Sequence, residues 1–282
     1  MKDFGLHQIE KMTDITEPLV FFKKPTDLFT FNEEAINFDF ELLTKGRVSQ
    51  ELSPTNGFLG DPSDLFIEKG AKIEFSTLNT RTGKIYIGKD TEVMEGSNLR
   101  GPIALCDHAT IKLGAKISGS STIGPHCKVG GEVSDIVIFG YSSKGHDGYL
   151  GNSVLGEWCN LGADTNTSNL KNNYSTVKLW NYKQKEFKDT GLQFCGTIMG
   201  DHSKTAINTQ LNTGTVVGVA SNIFKSGFPP TYVENFSWGG HHDDEKFDFE
   251  KACQVAERVM ARRKLPFTEA DRYILKHISD NF

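Results

Sequence analysis

The sequence has no surplus of positive charge. Its 282 residues carry 31 Lys and Arg against 36 Asp and Glu, a formal net charge of −5. Nucleic acids and acidic membrane surfaces call for a basic footprint, so both are set aside as partners. No apolar run approaches the ~18 residues of a transmembrane helix. The stretch from Met1 to Lys11 is polar and charged and has no apolar signal core, so a cytoplasmic protein is expected. The five cysteines (Cys106, Cys127, Cys159, Cys195 and Cys253) are odd in number and widely spaced, and none forms a CxxC pair. Reduced, mostly buried thiols are the expectation. One further shortage is local. Of 20 phenylalanines, ten lie in residues 1–75, seven in 201–282 and three in the long middle, while 23 of the 28 glycines fall in 76–240.

A repeat accounts for this asymmetry. From Ile87 every sixth residue is aliphatic: Ile87, Val93, Leu99, Leu105, Ile111, Ile117, Ile123 and Val129. The residue four places after each is mostly small: Thr91, Ser97, Ile103, Ala109, Ala115, Ser121 and Cys127. The pattern returns at Leu155 and Leu161, then from Met199 through Thr205, Leu211 and Val217 to Ile223. Six is neither the helical period nor a strand alternation. It is the period of a short strand plus a turn, one side of a triangular coil, and three sides make a turn of a parallel β-helix. Aliphatics fill the narrow interior, small residues fit the corners, and glycines such as Gly88, Gly124 and Gly200 are expected to supply positive φ at the turns. Such a prism has little room for a Phe ring.

The ends read differently. A helix is expected near residues 32–43. Phe249, Ala252, Cys253, Ala256, Val259 and Met260 give residues 245–263 an amphipathic helical spacing. Thr268, with Asp271 three residues on, caps a last helix. These helices are expected to cover the open ends of the solenoid. The division is thus 1–60, 61–240 for the β-helix, and 241–282 for the C-terminal helices.

Function in repeat proteins concentrates where the repeat is interrupted. The interruptions are residues 131–153 and 163–197. The first holds Lys144, Gly145, His146, Asp147, Gly148 and Tyr149. His146 reads either as a general base or as a solvated loop histidine. The second is rich in asparagine, including Asn166, Asn169, Asn172 and Asn173, with Asn160 just before it. Asparagines suit tight turns and also sugar hydroxyls or phosphates. Residues 177–188 read as a projecting hairpin whose Trp180 and Tyr182 stack on a ligand or on a neighbouring subunit. His108 and His126 are 18 apart and should stack on one outer edge, with His202 at the equivalent place. No third histidine has a matching close spacing, so no metal site is assigned.

The segment KGHDGYLGNSVLGEWCNLGADTNTSNL resembles the acetyltransferase domain of the bifunctional glucosamine-1-phosphate acetyltransferase and N-acetylglucosamine-1-phosphate uridylyltransferase family. The likeness is to its sugar-phosphate nucleotidyltransferase variants in Bacteroidetes and archaea. It continues through IMGDHSKTAINTQLNTGTVVG and FSWGG and covers most of residues 60–282. The resemblance implies a left-handed parallel β-helix that forms a homotrimer, with acetyl-CoA and a sugar phosphate bound between subunits. It implies His146 as the general base. It implies Tyr149, Asn160 and Asn169 as holders of the amino-sugar phosphate, with Lys144 and Arg100 as phosphate contacts. Ala163, Ala206 and Ile207 fall at the coenzyme.

This sequence departs from the family in places. The family's G-A-G-T is Gly162-Ala163-Asp164-Thr165 here, and Ile207 stands where the family has a serine. Arg100 lies further from His146 than the family's arginine does, and the family's upstream lysine aligns near Ser134. Residues 1–60 resemble only the final part of the nucleotidyltransferase domain and its linker, without its glycine-rich phosphate loop. The expected function is therefore acetyl-CoA-dependent N-acetylation of a hexosamine 1-phosphate in nucleotide-sugar synthesis, without a metal and without uridylyl transfer. A non-catalytic trimerising module of a sugar nucleotidyltransferase is the alternative.

Overall fold

The six-residue ruler winds the chain into a parallel β-solenoid. A computed structural model describes residues 20–282, so the polar start from Met1 to Lys11 lies outside the described residues. Three ladders of short parallel strands form the three faces of the coil. The second face is the longest. Its interior residues stack in register as Ile67, Ile87, Leu105, Ile123, Ile138, Leu155, Met199, Val217 and Val233. The first face stacks Phe58, Leu78, Leu99, Ile117, Val133 and Leu150. The third stacks Ile73, Val93, Ile111, Val129 and Lys144.

All eight ruler residues from Ile87 to Val129 are at most 2% exposed, and the small column from Thr91 to Cys127 is fully buried beside them. The five cysteines are free thiols. Each turn of the coil thus hides about three aliphatic side chains from water, each contributing on the order of 1.5–3 kcal/mol.

The glycines do a different job from the one expected. Gly88, Gly124 and Gly200 are not among the residues with positive φ. They are needed for close approach: a Cβ at Gly88 would stand 2.7 Å from the Leu105 carbonyl oxygen, and one at Gly200 2.9 Å from the Val219 nitrogen. Positive φ falls two residues later, on Asp90, His108, His126, Tyr141, Trp158, His202, Ala220 and Phe236. Each left-handed corner turns its N–H onto the coil below, as His108 N to the Lys89 carbonyl at 2.8 Å and His202 N to the Glu157 carbonyl at 2.9 Å. That bond and the stacking of the corner side chains offset the ~1 kcal/mol cost of a non-glycine residue there.

The two interruptions are opposite in kind. A regular coil takes 18 residues, as from Leu105 to Ile123. Residues 131–153 do not loop out. Ile123 pairs with Ile138 after 15 residues and Ile138 with Leu155 after 17, and the shortened corners let Glu132–Ile138 and Tyr149–Leu155 run on as seven-residue strands across two faces. Residues 163–197 are an insertion: Leu155 pairs with Met199. They carry an antiparallel hairpin of Lys178–Asn181 and Glu186–Asp189. Trp180 and Tyr182 pack within the chain, on Tyr232, with ring centroids 4.3 and 5.7 Å away.

Among the described residues four α-helices flank the coil: α1 (Asp27–Thr30), α2 (Asn32–Thr44), α3 (Phe249–Ala261) and α4 (Glu269–Asn281). They lie along its sides, where end caps were expected. Asn32 at the start of α2 donates to the Ser120 carbonyl at 2.7 Å and accepts from the Thr122 hydroxyl at 2.8 Å. Ala252, Cys253 and Ala256 of α3 and Leu275 of α4 pack on Ala220 and Phe236 of the corner column. Thr268 and Asp271 close a reciprocal capping box at the start of α4. No helix among the described residues is long and apolar enough to cross a membrane.

The depth of the interior sets a direct comparison. Ile111→Ala should cost roughly 2–5 kcal/mol, the range for truncating a fully buried aliphatic. Leu113→Ala, two residues on and 67% exposed, should stay within about 0.5 kcal/mol of wild type. Urea denaturation of both variants checks the pair.

Candidate active site

Corner residues of successive coils stack into edges, and the edge between the third and first faces gathers much of the predicted chemistry. Counting two and three residues past the interior positions Lys144, Leu161 and Thr205 places His146-Asp147, Ala163-Asp164 and Ile207-Asn208 on this edge, on three consecutive rungs. The backbone ties them: Asp164 N donates to the Asp147 carbonyl at 3.1 Å, and Asn208 N to the Ala163 carbonyl at 2.8 Å. His146 is exposed here. Ile207 is 69% exposed, a large apolar side chain in open solvent. Ala206 lies one residue before it, and Gly162 packs on the Ala206 backbone so closely that a Cβ would overlap it.

The flanks of the edge hold the other candidates. On the first face, Tyr149 N donates to the Asn166 side-chain carbonyl at 2.8 Å. Asn169 donates to the Tyr149 hydroxyl at 3.0 Å and to the Asn152 side chain at 2.8 Å. Burial raises the Tyr149 phenol above its ordinary range. Gly151 makes this pair possible, because a Cβ there would strike the Tyr149 hydroxyl. On the third face, Asn160 is exposed and bridges Ser143 and Lys204 in the ladder. His146 thus stands at a corner with Tyr149 and Asn169 on one side and Asn160 on the other.

Two predicted residues are placed elsewhere. Arg100 is in register with Ser118, then Ser134, then Gly151, three rungs from the Tyr149 strand. At ~4.8 Å per rung that is roughly 14 Å. Lys144 does not reach outward to a phosphate. It occupies the interior column above Val129, is 2% exposed, and donates to the carbonyls of His146 at 2.6 Å and Asp147 at 3.1 Å. Burial pushes its ammonium down to about 8, against the pull of Asp147 and Asp164. The lysine is a strut beneath the loop that carries His146.

The three spaced histidines form part of a longer ladder. His108, His126, Tyr141, Trp158 and His202 stack ring on ring, with successive centroids 4.7, 5.0, 4.3 and 6.2 Å apart. Two aromatic rungs therefore separate His202 from the other imidazoles, and burial pushes it down to about 4. An 18-residue spacing misses Tyr141 and Trp158, because the coils there are short. Both are found three residues after an interior aliphatic, Ile138 and Leu155.

Beside the ladder, on the third face, a cavity of about 460 Å³ opens beneath α3. Ser143 and Asn160 form its floor with Lys128 and Lys204, and Arg262 and Arg263 overhang it from the end of α3. The sequence reading did not single out these four cations. Lys128 and Lys204 do sit one residue before the interior positions Val129 and Thr205, where a strand faces outward.

The strut carries a pH signature. Lys144 titrates lower folded than unfolded, so between about 8 and 10.5 the unfolded chain holds the extra proton. Its contribution to stability therefore rises with pH through that window, by up to roughly 3 kcal/mol. Lys144→Met removes this titration. The stability of wild type minus that of Lys144→Met, from denaturant midpoints, should grow from pH 8 to 10.5, and a flat difference would contradict the buried position.

No protein-family model matches the chain. Curated relatives do. The bifunctional protein GlmU of Methanocaldococcus jannaschii is 32% identical over 118 residues, 42% of this chain and 26% of that protein. The GlmU of Trichodesmium erythraeum is 33% identical over 135 residues, 47% of this chain and 24% of that protein. A bifunctional sugar-1-phosphate nucleotidylyltransferase/acetyltransferase of Sulfurisphaera tokodaii is 31% identical over 153 residues, 50% of this chain and 35% of that protein. The matches thus span about a quarter to a third of each relative's length. Among solved structures, a UDP-N-acetylglucosamine acyltransferase from Arabidopsis covers 82% of this chain and 97% of its own at 13% identity and a TM-score of 0.37. Neither that nor the Campylobacter jejuni enzyme, at 14% and 0.30, superposes closely enough to add to the fold read from the strand ladders. By sequence, this β-helical chain resembles part of the bifunctional GlmU proteins.

Proposed function

We propose that the chain is an acyltransferase that N-acetylates a hexosamine 1-phosphate, a glucosamine 1-phosphate-like substrate, with acetyl-CoA as co-substrate, in cytoplasmic nucleotide-sugar synthesis. The observation that carries this reading is the edge. One exposed imidazole, His146, shares it with the small residues Gly162, Ala163 and Ala206 on the next rungs, and hydrogen-bonding side chains flank it on two faces. That arrangement sets the small Gly162, Ala163 and Ala206 as a track for a thioester arm alongside the exposed Asp147, Asp164 and Ile207, with sugar-binding groups at its sides. The partial likeness to GlmU proteins supports the same substrate class.

In this reading His146 accepts the proton as the sugar 2-amine attacks the thioester carbonyl. The tetrahedral intermediate then collapses. The C–S bond breaks, the acetyl group stays on nitrogen, and the coenzyme thiolate takes the proton back from the imidazolium. Tyr149, Asn169 and Asn160 hold the sugar, and the Ala163 backbone meets the acetyl end of the coenzyme. Lys144 keeps the His146 carbonyl in place from below. The site is completed between subunits of a homotrimer. Residues up to 56 are the remnant and linker of a nucleotidyltransferase-like domain. The transferase coil starts at the Gly57–Leu59 strand, ahead of the boundary at 61 read from the sequence, and runs to 240, and 241–282 are a helical addition.

Release of coenzyme thiol from acetyl-CoA should depend on added glucosamine 1-phosphate. His146→Ala should lower its rate roughly a hundred- to ten-thousand-fold, the usual worth of a general base. Absence of turnover in the wild-type trimer would sink the enzyme reading and favour a silent trimerising coil. A monomer by light scattering would remove the shared site.

A further inference from the structure

We infer that the cavity beneath α3 is a phosphate-binding pocket built from Lys128, Lys204, Arg262 and Arg263. The proposed reaction assigns none of these four residues. Two come from outward positions of the third face, three coils apart in the ladder from Lys128 through Ser143 and Asn160 to Lys204. The other two come from the end of the helix that roofs the cavity. No Asp or Glu lines it, and no ion pair among the described residues engages any of the four.

The four positive side chains repel one another, most strongly the adjacent Arg262 and Arg263 and least the two lysines, which stand roughly 14 Å apart, and an anion relieves that repulsion. The negative end of α3 lies beside Arg262 and Arg263 and offsets part of their charge, but the effect fades within a turn. Lys204 spends one N–H on the His202 carbonyl at 2.7 Å, and Arg263 one on the His126 carbonyl at 3.4 Å. Those bonds aim the two side chains and leave further donors on each. Arg262 and Lys128 make no side-chain hydrogen bond among the described residues.

The cavity is larger than an inorganic phosphate requires. At about 460 Å³ it falls within the ~300–1,000 Å³ of small-molecule sites. Ser143 and Asn160 add polar groups on the floor, and the edges of Tyr141 and Trp158 form one wall. The recognised chemistry is an organic phosphate, held by guanidinium and ammonium donors with a polar and aromatic surround. Two sources have that chemistry in the proposed reaction, the sugar 1-phosphate and the phosphates of the coenzyme. The pocket rests on that reading only for the choice of probes.

Calorimetric titration of the whole 282-residue chain at low salt tests it, with glucosamine 1-phosphate and coenzyme A as separate probes. Glucosamine and pantetheine serve as their phosphate-free counterparts. Arg262→Gln/Arg263→Gln lies at an exposed helix end and should fold. It should weaken at least one phosphate probe by about tenfold or more and leave the phosphate-free counterpart unchanged. Lys183→Gln/Lys185→Gln, an equal loss of charge at the exposed hairpin, should leave every affinity as in wild type. Loss confined to coenzyme A identifies the coenzyme as the source, loss confined to glucosamine 1-phosphate identifies the sugar, and either supports the pocket. The pocket is refuted if wild type binds neither probe, if the arginine variant binds both as wild type does, or if the lysine variant weakens them equally. Binding is read without turnover, so a protein that binds through these arginines yet transfers no acetyl group overturns the enzyme reading and leaves the pocket standing.

Discussion

A triangular coil closed by parallel strands has an interior wide enough for one side chain per face on each rung, and the rest of this structure depends on that limit. It sets the pace of six residues, because a face needs one inward residue and enough chain to turn the corner. It selects Val, Ile and Leu and keeps Phe out of the middle rungs. It brings neighbouring coils so close that the residue after an inward aliphatic is often glycine, as at Gly88, where a Cβ would crowd the next backbone. Phenylalanine returns where chain packs on the outside of the coil, as Phe29 does in α1 and Phe236 under α3.

The same limit explains where the chemistry lies. Once each rung is locked to the next at ~4.8 Å, residues far apart in sequence become neighbours on an edge. His146, Ala163 and Ile207 are separated by 17 and 44 residues and yet occupy consecutive rungs. The departures from 18 residues per coil supply the individuality. Two short coils run strands across a corner beside His146, and a long one throws out the hairpin and delivers Asn169 to Tyr149. A lysine inside the coil is the costliest of these departures, since burial disfavours its charge. It is tolerated because two carbonyls of the His146 loop accept hydrogen bonds from its ammonium.

Some of this was legible in advance and some was not. The ruler from Ile87 to Val129, the stacking of His108 on His126, α2, α3, and the Thr268 cap follow from local pattern, and local pattern is where they are read. The shortened coils were read as an interruption without showing that residues are missing there, because a missing residue and an extra one break a period alike. Positive φ was assigned to glycines that need space instead, since composition does not separate the two uses of a missing Cβ. Lys144 and Arg100 were grouped with His146 as phosphate contacts on the family resemblance. Facing direction moved one indoors, and rung position left the other roughly 14 Å away.

The sequence by itself determined that this chain winds as a solenoid of aliphatic rungs, because an inward residue every sixth position has no other way to be buried together. It also named the histidine on the edge and the asparagines near it, because they fall where the repeat is disturbed. Only the tertiary structure decided which of these meet. It folded the helices against the flanks, completed an aromatic ladder from residues at unequal spacings, and placed Arg262 and Arg263 over Lys128 and Lys204. Those outcomes depend on coil length and on where a distant helix lands. Both are settled by packing over the whole molecule and leave no periodic trace in the chain.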